Sequence, residues 1–265
     1  MRLLGTWAAD AVAHARAIAA VDASWGTEVH AVAGGWLVLW GAGLYVNRAI
    51  AIGVTAGVSV TDLELIVERS EAHGVMPSMT ASPATRPASL ALIGASRFVH
   101  DLERDVTALI RPLPGPSVDA PDDVRVRPVI TADDLRVWQE TTALGWGHVD
   151  PEARRASDAF ASAAHTIDNE EMVLALDATD GRPVGCASTT LRDGVATLGA
   201  MSTVPAERRR GVQAALIRYR LEVAARRGCD LAASTAAAGG PSQRNLQRHG
   251  FTPQFTIATY GLERG

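Results

Sequence analysis

Met201-Ser-Thr-Val-Pro205-Ala-Glu-Arg208-Arg-Arg-Gly211-Val-Gln-Ala-Ala-Leu216 is the stretch that decides the reading. An apolar strand ends, a short basic turn follows, and a helix opens at a glycine. The first turn of a helix has N–H groups with no partner inside the helix. It also carries the positive end of the helix dipole, so together these make an anion site. Gly211 has no Cβ and lets a backbone come close to a ligand. Arg208, Arg209 and Arg210 add positive charge at an end where cations are unfavourable alone. An anionic ligand such as a pyrophosphate would remove that conflict. The plainer alternative is a solvated basic turn with a glycine bend.

The same segment fixes its neighbours. Before it, Val195–Val204 reads as a strand, Val184–Leu191 as its hairpin partner, and Met172–Leu176 as a third strand behind the Asp180–Gly181 turn. Upstream, Val124–Ile130 alternates as a strand. Thr131 with Asp134 forms a capping box for a helix to Leu144. Gly145-Trp-Gly-His148 breaks that helix, and Asp150-Pro151 opens another to Ala164. Downstream, the helix from Gly211 carries an apolar stripe at Val212, Leu216, Tyr219 and Val223 and stops at Gly228. A strand at Asp230–Ala236, a helix at Pro241–His249 and a strand at Phe251–Leu262 close the pattern. The order predicts an α/β (α+β) domain around a mixed sheet.

Between residues 112 and 123 the chain reads Pro-Leu-Pro-Gly-Pro-Ser-Val-Asp-Ala-Pro-Asp-Asp. Four prolines exclude a helix or a central strand, so a semi-rigid spacer is expected between a domain at 1–111 and one at 124–265. The N-terminal half predicts a helix over Leu4–Val21 and strands at Glu28–Ala33, Trp36–Trp40 and Tyr45–Gly53. A helix over Thr61–His73, a strand at Val75–Thr80, a helix at Arg86–Ile93 and a final strand or strands over Phe98–Ile110 follow. Gly57-Val58 and Gly74 are spaced as Gly211-Val212 and Gly228 are, which suggests a diverged internal repeat.

Of 265 residues 47% are hydrophobic, and the net charge of −4 offers no electrostatic case for nucleic acid. Every basic side chain other than histidine is arginine. Cys186 and Cys229 are too few for a disulfide framework or a four-cysteine metal site, so free thiols and no metal are expected. The N-terminus is interrupted by Asp10, His14 and Arg16 and does not read as a signal peptide. Its apolar runs are too short to span a bilayer. No membrane association and a cytoplasmic location are the expectations.

From Val124 to Gly265 the sequence resembles the GNAT (GCN5-related N-acetyltransferase) superfamily. The N-terminal half resembles a degenerate GNAT-like accessory domain of a two-domain member. Arg208-Arg-Arg-Gly211-Val-Gln213 matches the pyrophosphate loop Arg/Gln-x-x-Gly-x-Gly/Ala, with Gln213 in place of the last small residue. Ser242-Gln-Arg-Asn245-Leu-Gln-Arg-His-Gly250-Phe251 resembles the closing helix and its Gly-Phe ending. The resemblance implies acetyl-CoA as co-substrate, without metal. It implies that Arg208, Arg209, Arg210, Gly211, Val212, Gln213 and Ala214 surround the pyrophosphate. Met201, Ser202 and Thr203 would pair with the pantetheine arm, with one N–H over the thioester oxygen. Ser242 or Asn245 would face the arm.

Two departures concern catalysis. Leu246 stands where many members place the tyrosine that protonates the leaving thiolate, and Val195–Val204 contains no carboxylate base. His148 and Tyr260 remain as acid–base candidates, against plainer readings as a loop histidine and a packed strand tyrosine. Trp146 could line the acceptor pocket, and Asn47 and Arg48 could reach a ligand in the N-terminal half. Val54-Thr-Ala-Gly57 lacks the arginines, so no CoA site is expected there. The implied function is transfer of an acetyl group to an amine of a small molecule or peptide, by direct attack on the thioester. The alternative is a non-catalytic acyl-CoA-binding or regulatory module. The acceptor is not legible, and a homodimer stands beside a monomer.

Overall fold

The structure is a computed structural model that describes residues 1–262; the last three residues of the expected 124–265 domain lie outside it. The chain divides into two compact units. The first comprises 1–109, 235–244 and the chain from Pro253; the second comprises 110–234 and 245–252.

The second unit holds β7 (Val124–Pro128), α4 (Ala132–Trp146), α5 (Pro151–His165), β8 (Glu170–Asp177), β9 (Pro183–Arg192), β10 (Val195–Thr203), α6 (Val212–Arg226) and the start of β11 (Leu231–Ala237). Its strands lie in the order β11-β10-β9-β8-β7, parallel between β10 and β11 and antiparallel elsewhere. The sheet is covered on both faces, so alternate residues of one strand enter different cores. Met172, Leu174 and Cys186 pack with Trp138, Ala161 and Ala164 of α4 and α5. Val173, Ala175 and Ala187 pack with Val212, Ala215 and Leu216 of α6. Trp138 is fully buried and its indole N–H donates to Ala187 O at 3.2 Å. The expected Thr131–Asp134 capping box is present at α4.

The first unit holds α1 (Arg2–Val21), β1 (Glu28–Val32), β2 (Gly35–Leu39), β3 (Asn47–Ile50), α2 (Val60–Ala72), β4 (Ser78–Ala81), α3 (Pro87–Gly94), β5 (Phe98–His100) and β12 (Thr252–Leu262, from Pro253). The order is β1-β2-β3-β4-β12, with β5 also on β12. Leu37, Leu39, Ala49, Ile66, Met79 and Ile93 centre its core. β6 (Val106–Pro112) leads from the first unit to the second. β11 and α7 (Pro241–Arg248) carry residues of both.

The strand or strands expected over Phe98–Ile110 are two, with a 3-10 turn at Leu102–Arg104 between them. Three differences from the sequence expectations have physical reasons. The strand expected over Tyr45–Gly53 is limited to Asn47–Ile50, with Ala51 (φ 54°) and Gly53 (φ 70°) turning the chain away. The 112–123 stretch is not an open spacer: Leu113 and Val118 are buried, and Leu113 N–H donates to Asp230 O at 2.9 Å. The last strand groups with the first unit, because β12 pairs with β4 and β5. A border at the proline-rich stretch therefore does not separate all of the two units' residues.

Candidate functional site

α6 begins at Val212, with Gly211 as its N-cap at φ +75°, and no side chain caps it. Arg209 before it is also left-handed, at φ +68°. Such a conformation is costly for a residue with a Cβ, by about 1–3 kcal/mol. The arrangement leaves the first-turn N–H groups uncapped at the positive end of the dipole. Val212 itself is core: a Cβ on Gly185 of β9 would fall 2.7 Å from its Cγ1. Its contribution to a ligand is limited to backbone.

Packing by itself already requires a glycine at 211. A Cβ there would fall 2.7 Å from Cδ of Pro121. The proline-rich segment lies against the glycine, and its Ala120 carbonyl accepts from Arg218 Nη1 at 3.3 Å.

The three arginines divide their work. Arg210 pairs with Asp123 and Asp177 at 3.0 Å each and with Glu207. Arg182 joins the same group through Glu207 at 2.6 Å and Asp180 at 3.1 Å. The bonds from Arg182 and Arg210 hold the Glu207 carboxyl below its usual range. The Thr179 N–H and then Arg210 do the same for Asp177. Arg208 Nη2 donates to Gly145 O at the end of α4, at 3.0 Å. Arg209 is exposed and is the member of the trio with neither an ion pair nor a side-chain hydrogen bond.

Beside this loop, β10 parts from β11. Their pairing covers Val195–Thr197 against Leu231–Ala233, and Ser234 Oγ then donates to Leu198 O at 2.9 Å. From Gly199 on, β10 keeps its ladder with β9 alone. Between Gly199 and Ser202 that ladder shifts register, with Ala200 at φ +40°, which is a β-bulge. Pairing resumes at Ser202↔Cys186, and Val204 N–H donates to Val184 O at 3.0 Å. Antiparallel alternation then turns the backbone groups of Met201 and Thr203 away from β9. The Ser202 and Thr203 side chains are buried, and Thr203 Oγ1 has no hydrogen-bond partner.

The remaining candidates are spread more widely. Asn245 Nδ2 donates to Gln213 Oε1 at 2.8 Å, which ties α7 to the first turn of α6. Gln213 stands where a small residue was expected, and this bond draws its side chain aside. Leu246 is buried, so the place of the family's tyrosine is filled by core. His148 follows the left-handed C-cap Gly147, and its ring meets Trp146 edge-on at 5.4 Å. Its Nδ1 is buried without a hydrogen-bond partner. Ser242 and Tyr260 fall in the stretches that group with the first unit, where Tyr260 stacks on His100 at 5.2 Å. Asn47 donates to Gly41 O and Leu44 O, and Arg48 to Tyr45 O, so both brace a loop. Cys186 and Cys229 are free and buried; burial pushes the Cys186 thiol up to about 12.

Sequence reasoning missed Gly145 and Arg220. Gly145 packs on Ser202 Oγ, and a Cβ there would lie 3.1 Å from Thr203 N. Trp146, next to it, donates from Nε1 to Met201 O at 3.2 Å. Arg220 of α6 is buried under the bulge. The signal for Gly145 was its place at a helix end; Arg220 gave a weak one, a charge one turn beyond Leu216 on the buried side. Among the described residues, no group of three or more His, Cys, Asp or Glu is placed to hold a metal. No helix among them is long and apolar enough to cross a membrane.

Residues 133–251 match the family model described as acetyltransferase (GNAT) family. No curated protein matches the sequence. Among solved structures, a GCN5-related N-acetyltransferase from Kribbella flavida superposes with a TM-score of 0.67 at 19% identity, over 95% of this chain and 96% of that one. A tandem GNAT protein from the clavulanic acid biosynthesis pathway gives 0.62 at 18% identity, over 87% of this chain and 78% of its own. A GCN5-related N-acetyltransferase from Sphaerobacter thermophilus gives 0.54 at 17% identity, over 74% and 65%. At these identities the structural likeness concerns the fold. The match at 133–251 contains both the loop and the parted strand, so this region of the chain is similar to the acetyltransferase (GNAT) family.

Proposed function

We propose that the protein is an N-acetyltransferase that takes its acetyl group from acetyl-CoA and gives it to an amine. The observation that carries this reading is the pairing of an uncapped helix start at Gly211 with a strand end at Met201–Thr203 that has left its neighbour. The first suits a pyrophosphate and the second an extended pantetheine arm. The first-turn N–H groups and Arg209 would meet the phosphates, while Arg208 and Arg210 hold the loop in shape. The amides of Met201 and Thr203 would pair with the arm, one of them over the thioester oxygen.

In the reaction, the neutral amine attacks the thioester carbonyl carbon. A C–N bond forms, and the oxygen takes negative charge against a backbone N–H. The C–S bond then breaks, the sulfur leaves with the electron pair, and the nitrogen loses one proton. His148, with its unpartnered Nδ1 beside Trp146, is the candidate that takes this proton. A base placed in this way contributes roughly 10²–10⁴ in rate. The first unit would act as an accessory domain without a CoA site of its own.

A non-catalytic acyl-CoA-binding module is the second reading. Leu246 in the core and a β10 without carboxylates favour it. The separating experiment is a calorimetric titration with acetyl-CoA, followed by free-thiol release over a panel of amines. Saturable binding with thiol release supports the transferase. Binding without turnover selects the module, and no binding at millimolar ligand overturns both.

A further inference from the structure

The bulge in β10 has an unusual underside. Arg220 is buried, and burial pulls its guanidinium down to about 9. Its four hydrogen bonds go to Leu216 O at 3.1 Å, Ser188 O at 3.0 Å, Gly199 O at 3.2 Å and Met201 Sδ at 3.2 Å. None of these partners is a carboxylate. The Glu170 charge acts on it only through space, and a guanidinium taken out of water is costly, so this one needs a full set of acceptors. Ser188 and Gly199 are the last paired residues before the register shift, on β9 and β10 respectively. Nη1 bridges their carbonyls. On the far side of the bulge, Trp146 Nε1 takes the carbonyl of Met201 at 3.2 Å.

A bulge frees backbone groups of both kinds, and an N–H and a C=O side by side would not discriminate among ligands. Here the carbonyls at both ends of the Gly199–Met201 turn already have donors. Of the two Met201 backbone groups that face away from β9, the carbonyl is taken, which leaves the N–H for a ligand. We propose that Arg220 and Trp146 are positioning residues that claim the Gly199 and Met201 carbonyls, so that the parted end of β10 offers donors and selects an acyl thioester over a free thiol. This rests on the acetyl-CoA reading of the site. A thioester brings an extra carbonyl oxygen that such donors recognise, and a free thiol brings none.

The test compares acetyl-CoA with free CoA by calorimetry on wild type, Trp146→Phe and Arg220→Lys. Trp146→Phe keeps an aromatic ring and deletes the N–H. Loss of one aligned hydrogen bond corresponds to roughly a tenfold change. Expected is about tenfold weaker acetyl-CoA binding by Trp146→Phe, with free CoA changed less than about twofold. Arg220→Lys, with an ammonium in place of the planar fork, is expected to lose preference in the same direction and to speed amide exchange at 199–202. A merely structural role would weaken both ligands equally. Equal weakening, or no change in either variant, overturns the assignment while the acetyl-CoA reading stands. Wild type that binds neither ligand overturns that reading, and this assignment with it.

Discussion

The start of α2 in the first unit and the start of α6 in the second follow the same preceding pattern and solve the same problem differently. Ser59 caps α2 through Asp62 N–H, and Asp62 accepts from the Ser59 N–H at 2.8 Å. Its orphan donors are met from within, and its dipole has an acid in the first turn. α6 has glycine as N-cap, no side-chain cap and no acid in its first turn. Both helices end alike, on left-handed Gly74 and Gly228. The cap of α2 is Ser59, two positions past Gly57, whereas Gly211 is itself the cap. A helix start that satisfies itself has nothing to offer an anion. One held open by a left-handed arginine and a glycine, at a cost in strain, is arranged for something else.

Four measurements would break or sharpen this contrast. Gly211→Asp puts a Cβ 2.7 Å from the Pro121 ring and a negative charge where phosphate is expected. Acetyl-CoA affinity should fall by about a hundredfold or more, judged by calorimetry on protein whose melting profile shows it folded. Unchanged affinity would place the phosphates elsewhere. Arg210→Met should change stability more than ligand recognition. Glu207 and Asp177 have folded pKa values below their unfolded ones. Their stabilisation is therefore present above the unfolded carboxylate range, near pH 4, and is lost as pH falls through the lower folded values. The wild-type melting temperature should drop as pH falls through this range, and the variant's curve should be flatter. A parallel pair of curves would remove Arg210 from the network.

Arg209→Ala should weaken acetyl-CoA and CoA alike, by about threefold to fivefold, since an exposed charge contributes under about 1 kcal/mol. The loss should shrink at high salt; a salt-independent loss would point to a packing role. The smallest effect on binding is expected from Ser59→Ala. It should cost about 1 kcal/mol of stability through the lost cap and leave the acetyl-CoA titration unchanged. A changed titration would mean that α2 also takes part in binding.

The order of elements was legible because periodicity, capping residues and turn glycines act locally. Thr131 with Asp134, Pro151 and Gly228 each mark a helix end by chemistry that involves at most a few neighbours. The loop was legible for the same reason. What remained hidden depends on partners distant in sequence. Three adjacent arginines look alike, but their fates are set by Gly145 O, by Asp123 with Asp177 and Glu207, and by solvent. Gly211 announced a close approach without saying that the neighbour is Pro121. Proline composition announced a boundary without showing that Leu113 and Val118 are buried. Arg220 sits near an apolar helix stripe, and nothing in its neighbourhood announces a bulge on another element. The strand over Phe251–Leu262 was expected in place, but which sheet receives it is a matter of topology, which local pattern does not encode.

That last strand has a consequence for how the protein is made. In the first unit, β12 pairs with both β4 and β5. A nascent chain that has released everything up to Leu109 still lacks this strand, so β4 is an open edge and β5 has no partner there. At ribosomal speed the wait for residues 253–262 is on the order of ten seconds, long compared with hairpin formation. The first unit's sheet thus waits for β12, and a chain released before residue 252 would leave that edge exposed to other chains.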